Sequence, residues 1–220
     1  NTRNIILNNE ISYAGGCGVV LIGSKYFHPV PHHPIFNQVV YNHIHHCGVF
    51  DKYVAGIFLG LSDGNLISHN LIEYMPHHAI NLGNSGYGRN FVEYNEIHYT
   101  CLETIDNGAI NSWMEDPYVH VQRDAERSGH IIRYNLITDT RGCRVDEKYN
   151  LVSTPEFTAH GIYLDNFTSN CFVYGNILVR NGAEGIRING GKNNIVENNL
   201  IVDSGHVIVY GSPQNYAPQT

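Results

Sequence analysis

One asparagine returns along the whole 220-residue chain, each time with aliphatic residues on either side. The copies are ILNNEI (6–11), VYNHI (40–44), ISHNLI (67–72), VEYNEI (92–97), IRYNLI (132–137), VYGNIL (173–178) and VENNLI (196–201). They carry Asn9, Asn42, Asn70, Asn95, Asn135, Asn176 and Asn199, spaced by 33, 28, 25, 40, 41 and 23 residues. A second motif interleaves with the first: GVVL (18–21), GIFL (56–59), AINL (79–82), AINS (109–112), GIYL (161–164), GIRI (185–188) and HVIV (206–209). Each unit therefore holds at least two short alternating strands separated by polar turns. A single unit cannot bury its apolar face, but stacking each on the last can, which predicts an all-β parallel solenoid of about seven turns. The amide of Asn both donates and accepts, so equivalent asparagines in successive turns can bond as a ladder inside a bend. A propeller needs longer and more uniform blades, and a sandwich would not hold one Asn at one position.

The units of 23 and 25 residues fit a bare three-sided coil, and the longer ones are the same coil with insertions. The insertions are 24–38, 112–129 and 141–159, rich in Pro, His, aromatic and charged residues. Insertions in a solenoid become loops, often on one binding face; the last two flank the strand ending at Asp165 and are expected to wall a cleft. The chain reads as a single domain over 1–220. It opens inside a repeat, without an initiating Met or signal peptide, and so is expected to be a piece of a longer protein.

Charged residues make up only 15% of the chain and the formal net charge is −7, which argues against a phosphate-binding surface and hence a nucleic-acid partner. No apolar run approaches the roughly 20 residues of a membrane helix. The five cysteines lack CxxC spacing and read as core thiols.

Aligning the second motif gives an outward column of Val20, Phe58, Asn81, Asn111, Tyr163, Arg187 and Ile208. Its middle members supply amides, an aromatic plane and a guanidinium fork, a set suited to sugar hydroxyls. His78, Gly108 and His160 form a neighbouring column in which Gly leaves space between two imidazoles. A metal on His77, His78, His160 and Asp106 lacks HxH or HExxH spacing; no metal is assigned.

Carboxylates decide the chemistry. Asp165 ends the GIYLD strand, and one turn earlier Glu115 and Asp116 stand two and three residues beyond the matching position. A coil step of about 4.8 Å and two residues of strand at about 6.6 Å put such a pair roughly 8 Å apart, within reach of a glycosidase acid and base. Asp106, in DNGAI, is offset from Asp165 by about 23 Å on straight strands, unless the backbone turns near Gly108. Trp113 offers a stacking plane for a sugar's apolar face.

The strings DNGAI, GIYLDNFTSNCFVYGNIL and INGGKNNIVENNLIVD resemble bacterial right-handed parallel β-helix proteins related to glycoside hydrolases of the α-L-fucosidase and xylan-acting type. The resemblance covers about residues 90–205. It implies two acidic positions acting as acid and base or nucleophile, with Asp165 on the first Asp of a G-I-Y-L-D-D pattern and Asn166 on the second. Glu115 or Asp116 matches the acidic loop. An extracellular or periplasmic setting and a carbohydrate substrate also follow from the resemblance.

The leading reading is a glycoside hydrolase using Asp165 with Asp116 or Glu115, and with His78, Asn81, Asn111, Trp113, His160, Tyr163, Asn166 and Arg187 around the sugar. No cofactor is required. The alternatives are a polysaccharide lyase or uronate epimerase, where Ca²⁺ or cationic side chains would neutralise a uronate, and a non-catalytic glycan-binding β-helix.

Overall fold

A computed structural model describes residues 1–23, 33–83, 88–114, 129–148, 150–153 and 159–211. Each coil gives one strand to each of three parallel seven-stranded sheets. The first sheet runs from Ile5–Leu7 to Ile195–Glu197, the second from Glu10–Ser12 to Leu200–Val202, and the third from Val19–Ile22 to His206–Gly211. Every strand pairs in register with its equivalent one coil away, as with Ile97 opposite Ile72 on one side and Ile137 on the other. This is a right-handed parallel β-helix with seven rungs on each side.

The Asn motif is two three-residue strands folded about a corner. In every coil the first-sheet and second-sheet strands begin five residues apart. The residue before the Asn takes left-handed backbone angles: Asn8, Tyr41, His69, Tyr94, Tyr134 and Asn198 have φ between 53° and 57°, and Gly175 has φ 66°. Such angles cost a non-glycine residue roughly 1–2 kcal/mol. The amide ladder offsets that cost. At each step one Asn donates its backbone N–H and its Nδ2 to Oδ1 of the Asn one coil on, at 2.9–3.1 Å from Asn9 through to Asn199. The left-handed side chains project outward and stack from coil to coil. Tyr41, His69, Tyr94 and Tyr134 form one column with ring centroids 4.7–5.1 Å apart.

A second ladder precedes the first sheet: Asn4, Asn37, Asn65 and Asn90 repeat the same paired bonds. His130 and then Cys171 take the next two positions before Asn194 resumes it. The imidazole of His130 is fully buried, and burial holds its pKa down to about 4 against a small opposing pull from Asp63. The unfolded chain takes up this proton near pH 6.5 and the folded chain only near pH 4. Stability present above pH 6.5 is therefore lost as pH falls, by about 1.4 kcal/mol per unit inside that window. Asn at position 130 would continue the ladder. His130→Asn is expected to flatten the fall in melting temperature between pH 6.5 and 4; an unchanged slope would show that the acid sensitivity lies elsewhere.

Inside, aliphatic side chains stack in columns such as Ile44, Ile72, Ile97, Ile137 and Leu178, all fully buried. Cys47, Cys101, Cys143 and Cys171 are buried free thiols, and Cys17 is half-buried. The insertion at 141–159 carries an antiparallel hairpin of Cys143–Val145 and Leu151–Ser153, which no repeat signal announces. Coil length varies almost entirely in the connections on either side of the third sheet. The outward face of that sheet is therefore the one that insertions can wall.

Candidate active site

The third sheet sets its outward residues in register. Phe58, Asn81, Asn111, Tyr163 and Arg187 are partners from coil to coil. The column continues to Val209, while Ile208 pairs with Ile186, so the expected place of Ile208 is off by one. HVIV lacks the Gly that marks the register in GIYL and GIRI. A second outward column holds Gly60, Gly83 and Trp113. Asp165 follows Leu164 one coil on, with its N–H on Ser112 O at 2.7 Å, and Asn189 follows Ile188 one coil further.

The acids converge on Tyr163. Its hydroxyl donates to Asp106 Oδ1 at 3.4 Å and accepts from Asn189 Nδ2 at 3.4 Å. The same Nδ2 donates to Asp165 Oδ1 at 2.8 Å, and that oxygen also accepts the backbone N–H of Asn166 at 2.7 Å. Burial, then the charges of Asp165 and Asp106, push the phenol far above its ordinary pKa, with Arg187 opposing. Tyr163 therefore stays protonated between two carboxylates. The wide separation expected for Asp106 does not hold. The backbone turns left-handed at Asp106, φ 55°, and the long Tyr163 side chain closes the remaining gap. The room expected beside Gly108 is also taken. A Cβ on Gly108 would lie 2.8 Å from Tyr163 Cβ, so Gly is what lets this tyrosine lean across to Asp106.

Beside the phenol lies a buried ion-paired group. His160 Nδ1 contacts Glu184 Oε2, and Arg187 Nη1 donates to Glu184 Oε1 at 3.1 Å. Burial pushes Glu184 up, but His160 and Arg187 outweigh it and hold the carboxyl below its ordinary value. The His160 ring meets Tyr163 edge-on, centroids 4.6 Å apart. Glu184 fixes the imidazole, and the imidazole supports the phenol.

The other expected site residues are more dispersed. Asn111 donates to Asn81 at 3.4 Å on the neighbouring coil. His78 is buried and donates Nδ1–H to Gly108 O at 2.8 Å. Burial, then His77, keeps it neutral. Adjacent His77 bonds Thr104 at 2.6 Å and is held down to about 4 by burial, against a small pull from Asp51. Asn166, at φ 52°, meets Asp165 through its backbone. The Trp113 indole lies over Gly83, on the side away from Asp165. Glu115 and Asp116 lie outside the described residues. Among the described residues, no group of three or more His, Cys, Asp or Glu is placed to hold a metal ion.

Asn189 and Glu184 escaped the reading of the sequence. Both were within reach of it, since Asn189 sits one coil beyond Asp165 and Glu184 one coil beyond His160.

A parallel β-solenoid with two acids gathered on the outward face of one sheet is the class that the fold and site define. The sequence matches the family described as right handed beta helix region over residues 1–217, and the chain belongs to that family. No curated protein matches it. Among solved structures it is similar to a GH136 lacto-N-biosidase from Eubacterium ramulus, with a TM-score of 0.58 and 16% identity, over 90% of this chain and 28% of that one. It also aligns with a glycoside hydrolase, with a TM-score of 0.46 and 14% identity, over 98% of this chain and 33% of that one. The chain thus spans about a third or less of these neighbours, and the likeness is one of fold. No helix among the described residues is long and apolar enough to cross a membrane.

Proposed function

We propose that this groove hydrolyses a glycosidic bond, with Asp106 and Asp165 as the carboxylate pair. The observation that carries the reading is the placement of both acids against one protonated phenol on neighbouring coils. Asp165 Oδ1 already accepts two N–H groups, the surroundings of a working carboxylate. Exposed Asp106 is free to protonate the leaving oxygen. Water adds across the bond: Asp106 gives its proton to the departing sugar oxygen as the C–O bond breaks. Asp165 either takes a proton from the water whose oxygen bonds the anomeric carbon, or attacks that carbon itself, and water then cleaves the resulting ester, giving its proton to Asp106 and its oxygen to the sugar. Tyr163 and Asn189 hold the acids in place, and Asn111, which spends one Nδ2 hydrogen on Asn81, keeps the other for a sugar hydroxyl. Glu115 and Asp116 remain proposed as further acids. The fold shared with a structure titled lacto-N-biosidase supports a saccharide substrate, and such a substrate suits an extracellular or periplasmic setting.

The substrate on this reading is uncharged at the reacting sugar. Arg187, the one guanidinium on the outward column, is engaged by Glu184. Among the described residues, a uronate entering here would meet Asp106 and Asp165 with Arg187 already paired to Glu184. This weighs against a lyase or epimerase.

The test is a panel of xylan-derived, fucosylated and N-acetylhexosamine-containing oligosaccharides, with products separated by chromatography. Uronate polymers run in parallel are followed by the absorbance of an unsaturated product. Hydrolytic release from an uncharged saccharide is expected. Unsaturated product from a uronate polymer would replace this reading with elimination chemistry.

A further inference from the structure

Just outside the acid cluster, the outward face of the third sheet changes character. Phe58 and Trp113 are half-buried, and each brings a ring edge over Gly83. A Cβ there would lie 2.9 Å from Trp113 Nε1 and 3.0 Å from Phe58 Cε2. The Phe58 ring also covers Gly60, whose Cβ would lie 3.0 Å from Cε1. Gly60 and Gly83 are partners on adjacent coils. Two stacked glycines thus remove the side chains that would otherwise lift these rings off the sheet. Trp113 sits one coil from Asp165 in the same column, a step of about 4.8 Å. Asn81 and Asn111 border the rings between Phe58 and Tyr163. The groove floor therefore runs from an aromatic surface with an amide border to the paired acids, along the axis of the helix.

We infer that Phe58 and Trp113, laid over Gly60 and Gly83, form a stacking subsite for a second, uncharged sugar ring of the saccharide whose bond lies at Asp106 and Asp165. This rests on the reading of the groove as a glycosidase site and extends it, because the substrate must be an oligosaccharide lying along the coil axis toward the N-terminal strands. A sugar's C–H face packs on an aromatic plane, and its rim of hydroxyls needs amides alongside. Both are present, and no charged side chain occupies this stretch of the two columns.

Trp113 is the chain's only tryptophan, so its emission reports directly on this subsite. The experiment titrates the protein, and an Asp165→Asn variant that binds without turnover, with the same uncharged oligosaccharides while following fluorescence. A saturable shift in emission is expected. Phe58→Leu, which keeps apolar volume but removes the ring, is expected to weaken the titration by roughly twofold to tenfold, the range of one aromatic contact, and Phe58→Tyr to restore it. A saccharide that is cleaved without moving Trp113 emission overturns the subsite and leaves the hydrolase reading standing. One that shifts emission without being cleaved by the unaltered protein does the reverse. A panel that neither binds nor reacts overturns both. An equal response from Phe58→Leu and the parent overturns the role of Phe58.

Discussion

Asp165→Asn is expected to lower turnover by roughly 10²–10⁴-fold, the usual worth of one acid–base group, and to leave the melting temperature almost unchanged. The amide replacement retains an oxygen that can accept from Asn189 Nδ2 and from the N–H of Asn166, so the turn is kept and only the charge is lost. Asp106→Asn is expected to cost about as much, since the exposed acid makes one long contact, to Tyr163. The two losses will not add, because one step needs both groups. Rate and melting curve together make the check. If either single variant keeps more than about a tenth of the parent rate, that acid falls outside the catalytic pair, and Glu115 and Asp116 become the ones to test.

The largest effect on stability is expected from Asn135→Ala. Asn135 is buried in the first ladder and joins three coils. Its Oδ1 accepts two donors from Asn95, while its own N–H and Nδ2 reach Asn176 Oδ1. Nδ2 further bonds the carbonyls of Val92 and Arg133. Truncation strands the buried Asn95 backbone N–H, at about 1–3 kcal/mol, and takes one of three acceptors from Asn95 Nδ2, which keeps the carbonyls of Ile67 and Glu93. It also breaks the bonds that Asn135 itself donates and removes the support for left-handed Tyr134. A loss of about 4 kcal/mol in denaturant titration is expected. A loss under about 1 kcal/mol would mean that stacked side chains alone hold the corner.

The coil was readable because one physical need recurs without exception: a left-handed bend must satisfy its amides, and Asn does so at seven equivalent corners. The second ladder was harder to see because His130 and Cys171 interrupt it, breaking the period where a reader would look for it. The active-site columns were partly readable. Register carried Asn81, Asn111, Tyr163 and Arg187 to one face, and the same register leads to Asn189 and Glu184. Asp106 was misplaced because a strand was extended straight through a residue that turns. The Cys143–Ser153 hairpin sits in an insertion with no repeat to constrain it, and periodicity carries no information there.

Because each coil rests only on its two neighbours, a local loosening acts first on whatever spans the coils beside it. The acid cluster is divided between coils in this way. Asp165 directly follows the strand Ala159–Leu164, which carries Tyr163, whereas Asn189, the donor that holds Asp165, ends the neighbouring strand Glu184–Asn189. Loosening of the Glu184–Asn189 strand alone would release Asp165 while Asp106 and Tyr163 keep their contact, so the acid pair would be disarmed while most of the coil still stands.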